Sequence, residues 1–253
     1  MKRISRRQAL VGTGVAVTAT MASVARASDP SGERARLKVV VAGAHPDDPE
    51  SGCGGTIARY TDQGHEVTAL YLTRGEAGIR GKSHEEAAAI RTAEAKKACA
   101  ILKARPIFAG QIDGRAEVNA ARYDSFLKLI AAEKPDVVFT HWPVDSHRDH
   151  RACSLLVFDA WLRGGRKFSL YYFEVDLGAQ TQCFKPTHYV DITATEPRKR
   201  AACLVHESQN AATSFYPHYH AKMHEFRGME SSFKLAEAFV HHDHSPLGRL
   251  PRP

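Results

Sequence analysis

The stretch Leu37-Lys38-Val39-Val40-Val41-Ala42 constrains this chain more than any other. A β-branched run of this kind reads as a strand buried in a parallel sheet. It ends in Gly43, and His45, Asp47, Asp48 and Glu50 then crowd into six positions. Open α/β sheets place their chemistry just past the carboxyl ends of such strands. Pro46 and Pro49 restrict the backbone where the acids sit. Gly52-Cys53-Gly54-Gly55-Thr56 supplies small residues for a tight turn or a close helix start. His45 and Asp48 offer an imidazole and a carboxylate to a divalent metal. Asp47, pointing elsewhere, is free to act as a base. An acidic surface turn that caps the following helix fits the same short pattern.

A second stretch of this composition lies about one hundred residues later. The run 136–140 reads as another strand and opens into His141-Trp142-Pro143-Val144-Asp145-Ser146-His147-Arg148-Asp149-His150. Alone, it fits a polar loop before a helix. Two such stretches, both after strands, point together to a metal site.

Elsewhere strand and helix alternate with short turns. Helices are predicted over 55–63, from Ser83 to about 102, and over 118–133, 151–161 and 196–206. Further strands are predicted over 66–72, 106–108, 168–175 and 187–192. Ser83 caps the long helix, with Glu85 and Glu86 in its first turn. Arg91 and Glu94 are three apart and suit a pair on one helix face. The pattern predicts one α/β domain, a Rossmann-like three-layer α/β/α arrangement around a mostly parallel sheet.

Ala44-His45-Pro46-Asp47-Asp48-Pro49-Glu50 resembles the A-H-P-D-D signature of the PIG-L/LmbE-like zinc-dependent de-N-acetylases, and His147-Arg148-Asp149-His150 resembles their H-x-D-H. The resemblance covers roughly 37–209. It implies a metal held by His45, Asp48 and His150. It also implies Asp47 as general base, His147 as a second catalytic group and Asp149 as its orienting partner. Zinc is the metal implied, and a two-His-one-carboxylate set also suits Fe2+. Thr73-Arg74-Gly75-Glu76 is similar to a family segment near the site, which makes Arg74 and Glu76 candidate substrate or supporting residues. Arg91 is a candidate substrate contact. Asp113, in Asp113-Gly114, is a candidate to orient a ligand histidine. His206-Glu207-Ser208-Gln209 resembles the family's H-x-S-Q. The family commonly places Glu directly after the second Asp, whereas here Pro49 intervenes and Glu50 comes one position later.

The activity implied is hydrolysis of an N-acetyl group on an N-acetylglucosamine-like sugar. The superfamily also includes hydratases of unsaturated dicarboxylic acids, and a sugar-binding protein without catalysis is a third reading. Phe215-Tyr216-Pro217-His218-Tyr219-His220 with Met223-His224 suits either stacking on a sugar or packing of a terminal helix. Segment 176–186 suits a pocket rim. His241-His242-Asp243-His244 is expected to be a poorly ordered tip or a subunit contact, and a homo-oligomer is compatible with the sequence.

Residues 1–27 read as an export leader. Lys2, Arg3, Arg6 and Arg7 form a basic front, 10–24 is mildly apolar, and Ala25-Arg26-Ala27 fits a cleavage site. Arg6-Arg7 suits the twin-arginine route of bacteria. The remaining 28–253 would then be a catalytic domain with a short C-terminal extension, acting in the periplasm or outside the cell. The leader holds five of the 35 Lys and Arg and none of the 28 acids, so 30 basic residues face 28 acidic ones beyond it. That balance gives no case for nucleic acid, and no stretch after the leader reads as a transmembrane helix. The five cysteines form no C-x-x-C pair and no evident disulfide framework.

Overall fold

The apolar run forms β1 (Lys38–Gly43), which lies between β2 (Glu66–Thr73) and β4 (Val137–His141) and parallel to both. The structure is a computed structural model, and it describes residues 36–175 and 179–251. The expected leader lies outside the described residues, as do positions 176–178 of the expected rim. β3 (Arg105–Gln111), β5 (Ser169–Phe173), β6 (His188–Asp191) and β7 (Ala236–His241) complete a sheet in the order β3-β2-β1-β4-β5-β7-β6. The first five strands in that order are parallel. β7 runs antiparallel to β5, and β6 antiparallel to β7.

Helices α1 (Asp48–Asp62), α2 (His84–Leu102), α3 (Ala120–Glu133), α4 (Arg148–Arg163), α5 (Glu196–Leu204) and α6 (Ala221–Ser231) complete the layers. Successive residues of β1 serve opposite faces, as the pleat requires. Val39 and Val41 join Ile57 and Tyr60 of α1, Leu102 of α2 and Ala202 of α5 in one core. Val40 and Ala42 join Ile130 of α3 and Leu156 and Trp161 of α4 in the other. The expected three-layer α/β/α fold is therefore present. Each fully buried valine of β1 contributes about 1.5–3 kcal/mol, which is why this strand carries no polar residue after Lys38.

Two expectations need correction. The first helix begins at Asp48, not Gly55, so Asp48, Glu50 and Ser51 sit in its opening turns. Pro49 suits that place, because its missing N–H has no helical partner there. The glycines inside α1 reflect crowding. A Cβ on Gly52 would lie 2.3 Å from the Phe173 ring, and one on Gly55 would lie 2.5 Å from Ile192. The second correction concerns the C-terminal histidines. His241 ends β7, which is an interior strand between β5 and β6. The His242 ring packs 4.6 Å from that of Trp161. His241 thus belongs to the sheet and the His242 N–H donates to the Leu170 carbonyl, so the start of the segment is packed rather than a loose tip; without β7, β5 would end the sheet with unpaired backbone groups.

Candidate metal centre and active site

The strand order reverses between β1 and β4, and both conserve their direction while the chain crosses to opposite sides. Their carboxyl ends diverge there into a crevice, the place where open α/β sheets bind ligands. The β1–α1 turn delivers His45, Asp47 and Asp48, while β4 and the start of α4 deliver His141, His147 and His150. The turn is tight because Gly43 lets α1 approach. A Cβ on Gly43 would lie 2.7 Å from Asp48 Cβ and 2.6 Å from Pro49 Cδ.

Asp48 is the centre of the cluster. Its Oδ2 lies 3.3 Å from His45 Nδ1 and its Oδ1 lies 3.4 Å from His150 Nε2. The His45 backbone N–H donates to Oδ2 at 2.7 Å and fixes the carboxylate. The other nitrogen of each imidazole faces further acids. His45 Nε2 lies 3.1 Å from Asp113 Oδ1 and 3.3 Å from Asp149 Oδ2, and His150 Nδ1 lies 3.1 Å from Asp145 Oδ2. Imidazoles that turn one nitrogen to a shared point and the other to a carboxylate are the usual dress of metal ligands. Three overlapping donor groups each converge within 4.8 Å: His45, His147 and His150; Asp48, His141 and His150; His45, Asp113 and Asp149. Two imidazoles and a carboxylate, buried and oriented in this way, fit one zinc-like divalent ion.

The electrostatics follow from that packing. Burial opposes a charge on His45, yet the facing Asp113, Asp149 and Asp48 together hold its imidazole well above its ordinary value. Burial disfavours the Asp48 carboxylate, yet the neighbouring His150 and His141 together hold it well below the usual range. Burial, and then the His150 charge, depress His141 to about 4. The Ala44 N–H points at His141 Nε2 at 3.0 Å, and the same nitrogen lies 3.1 Å from Asp48 Oδ2.

Asp47 stands apart from the cluster. Its φ is 111°, a conformation that costs about 1–3 kcal/mol in a residue other than glycine. Arg91 holds it there: Nη2 donates to Asp47 Oδ2 at 2.8 Å and to the Pro46 carbonyl at 2.5 Å. Arg91 is therefore not the partner of Glu94, whose carboxylate accepts from Ser208 N–H and Oγ–H. Burial raises the Asp47 carboxyl above its ordinary value, and Arg91 offsets part of that rise. The Gly75-Glu76-Ala77-Gly78 turn wraps the guanidinium. A Cβ on Gly78 would lie 2.3 Å from Arg91 Nη1, and one on Gly75 (φ +74°) would lie 2.5 Å from Arg91 Cδ.

A cavity of about 400 Å3 opens over these groups. Of the residues expected near the site, His45, Asp47, Asp48, Arg91, Asp113, His147, His150 and His206 line it. Arg74 and Glu76 do not: Arg74 pairs with Glu76, which accepts the Asp113 N–H and so braces the loop that carries Asp113. Asp149 differs from its expected role. Its carboxylate reaches His45 and the Gly114 N–H, and it meets His147 through its backbone, N–H to Nδ1 at 3.3 Å. As the first residue but one of α4, its side chain turns toward the helix start while its amide caps onto His147. Burial, with the neighbouring His45 and His150, lowers His147. Sequence reasoning assigned no individual role to His141, Asp145 or Ser51. The first two lie inside the histidine-rich stretch, and Ser51 comes to the cavity through the start of α1. Gln180, from the expected rim, and Tyr216 and His220, from the aromatic run, line the cavity as well.

Residues 40–161 match the family model described as GlcNAc-PI de-N-acetylase. The chain is 31% identical over 187 residues to the diacetylchitobiose deacetylase of Thermococcus kodakarensis, covering 68% of this chain and 70% of that protein. Among solved structures, the N,N'-diacetylchitobiose deacetylase of Pyrococcus horikoshii superposes with a TM-score of 0.72 at 25% identity, covering 83% of this chain and 88% of that one. The 4-carboxy-2-hydroxymuconate hydratase of Pseudomonas putida also gives a TM-score of 0.72, covering 85% of this chain and all of that one, but at 22% identity it shares the fold alone.

Proposed function

The chain belongs to the PIG-L, GlcNAc-PI de-N-acetylase, family, and on that premise we propose that it removes the N-acetyl group from a glucosamine-like sugar or glycoside. The observation that carries this reading is the pairing of a metal-fitting cluster with Asp47, a carboxylate held beside it in the same cavity but outside the ligand set. His45, Asp48 and His150 would hold the ion. When bound, zinc or another divalent ion supplies a Lewis acid and lowers the pKa of water.

The protein's own groups do the rest. Asp47 takes a proton from the water whose oxygen adds to the acetamide carbonyl carbon. His147, neutral because its pKa is depressed, accepts the Asp149 N–H at Nδ1 and so keeps its proton on Nε2. That N–H donates to the oxygen that becomes negative. A neutral imidazole is a poor source for the leaving-group proton, so Asp47, now protonated, returns its proton to nitrogen as the C–N bond breaks. Acetate and a free amine leave. Arg91 keeps Asp47 aimed and offsets part of the burial that disfavours its charge.

The cavity lining favours a sugar over an unsaturated dicarboxylate. Among the described lining residues the one Arg or Lys is Arg91, and it is already committed to Asp47 and Pro46. Gln180, Gln209 and Ser51 offer neutral polar groups suited to hydroxyls. A binding protein without catalysis would have no use for Asp47 in a strained conformation beside a metal cluster. The leader-like residues 1–27 support action outside the cytoplasm. No helix among the described residues is long and apolar enough to cross a membrane. To test the reading, metal-loaded protein is incubated with N-acetylated sugars and, separately, with an unsaturated dicarboxylate. Equal release of acetate and amine from a sugar supports it. Hydration of the dicarboxylate with no sugar cleaved would replace it with the lyase reading.

A further inference from the structure

The cavity has a second polar feature that the hydrolytic step does not use. His220 lies at the end of the π-helical segment Ala211–His220, far in sequence from the residues that match the family model. It lines the same cavity as His45 and His150, yet its side chain is almost fully buried, at 4% exposure. Its Nδ1 has no hydrogen-bond partner among the described residues. A buried polar atom left unpaired costs about 1–3 kcal/mol, and in the wall of a cavity the group able to repay that cost is a ligand's. The Tyr216 ring is buried beside it with centroids 5.9 Å apart and commits its own hydroxyl to Glu196 at 2.7 Å, so it does not partner the imidazole.

The charge state narrows what the ligand group is. Burial, reinforced by the positive charge of Lys199, depresses His220 to about 3, so the ring is neutral at physiological pH. His224, whose centroid is 6.4 Å away, is likewise held well below its ordinary value. A neutral imidazole has one N–H donor and one acceptor nitrogen. A sugar hydroxyl, which also donates and accepts, can pair with either nitrogen, while an ionised carboxylate can only accept from the N–H.

We infer that His220 is a specificity-determining residue that hydrogen-bonds a ring hydroxyl of the amino sugar, away from the acetamide. The inference rests on the deacetylase reading and adds to it the part of the substrate that is recognised. Its test uses the full protein with N-acetylglucosamine glycosides lacking one hydroxyl each, at positions 3, 4 and 6. Binding is followed by calorimetry to the protein carrying Asp47→Asn, and KM and kcat are followed in the protein with Asp47 intact. Each is measured with native His220, with His220→Leu and with His220→Gln. One deoxy sugar should bind about fivefold to tenfold more weakly to the native wall, the worth of one hydrogen bond. That penalty should vanish in His220→Leu, and His220→Gln should recover part of the affinity. The loss in turnover should fall on KM more than on kcat. If His220→Leu does not fold, His220→Gln and the deoxy series against the native wall decide the matter. Equal binding of all three deoxy sugars by the native wall, or an unchanged deoxy pattern in the His220 variants, overturns the assignment. If the native protein neither binds nor cleaves any N-acetylated sugar, the deacetylase reading falls first and this one with it.

Discussion

Arg91 shows how one side chain sets the chemistry of another. Its charge lowers the Asp47 carboxyl against the larger upward push of burial. Replacing it with Met therefore raises the Asp47 pKa, and the base is lost at a higher pH as the solution is acidified. The acid limb of the kcat/KM profile should move to higher pH, and activity should fall at every pH because Asp47 is no longer aimed. An acid limb that stays in place would separate Arg91 from the base. Asp145 acts on the metal side, accepting at Oδ2 from Thr181 at 3.1 Å and facing His150 Nδ1. Asp145→Ala should weaken metal binding by about 10-fold to 100-fold, measured by competition with a chelator, with the fold retained. At this scale the sequence was legible for residues in short motifs: His45 and His150, from the two motif stretches, lie 3.3 and 3.4 Å from the Asp48 carboxylate. Arg91 was expected to contact substrate or to pair with Glu94, the nearer acid in sequence, whereas Asp47 is the nearer acid in space. Asp149 was misjudged for a related reason, since spacing alone does not say whether a residue acts through its backbone or its carboxylate.

The active-site helix α1 depends on a buried ion pair outside the site. Lys199 of α5 is fully buried and donates to Glu237 Oε1 at 2.5 Å and to the Ser51 carbonyl at 2.6 Å. Glu237 of β7 accepts the N–H groups of Gly55 and Thr56, each at 2.8 Å. The pair thus ties α1 to α5 and β7 just behind Asp48. Lys199→Met leaves Glu237 charged and without its cation, which should cost about 3–5 kcal/mol. Adding Glu237→Gln should restore part of that loss, because no unpaired charge then remains. Urea unfolding of both variants checks this, and a double variant less stable than the single would contradict it. Little of this arrangement was visible in the sequence. β7 escaped notice because Ala236-Glu237-Ala238 lacks β-branched residues and carries an acid that reads as exposed. The parallel strands, by contrast, announce themselves through runs such as Val39-Val40-Val41, whose burial on both faces leaves no room for polar residues.

At the scale of the whole molecule, the two motif stretches lie about a hundred residues apart in sequence and become neighbours because β1 and β4 pair in register, Val39 with Val137 and Ala42 with Thr140. The expectation that 28–253 forms the working protein is checked by mass spectrometry of the chain purified from its own cells. Processing should yield a chain starting at Ser28, and an N-terminus at Met1 would contradict export through the leader. The central claim is that an ion held by His45, Asp48 and His150 and a base, Asp47, together cleave an acetamide. It is tested most directly by measuring metal content and acetate release in parallel for the native protein and for Asp47→Asn. The account predicts about one ion per chain in both proteins. It also predicts that acetate release falls by about 10²-fold to 10⁴-fold in the variant. Acetate released by Asp47→Asn at the native rate, with the metal still bound, would contradict it.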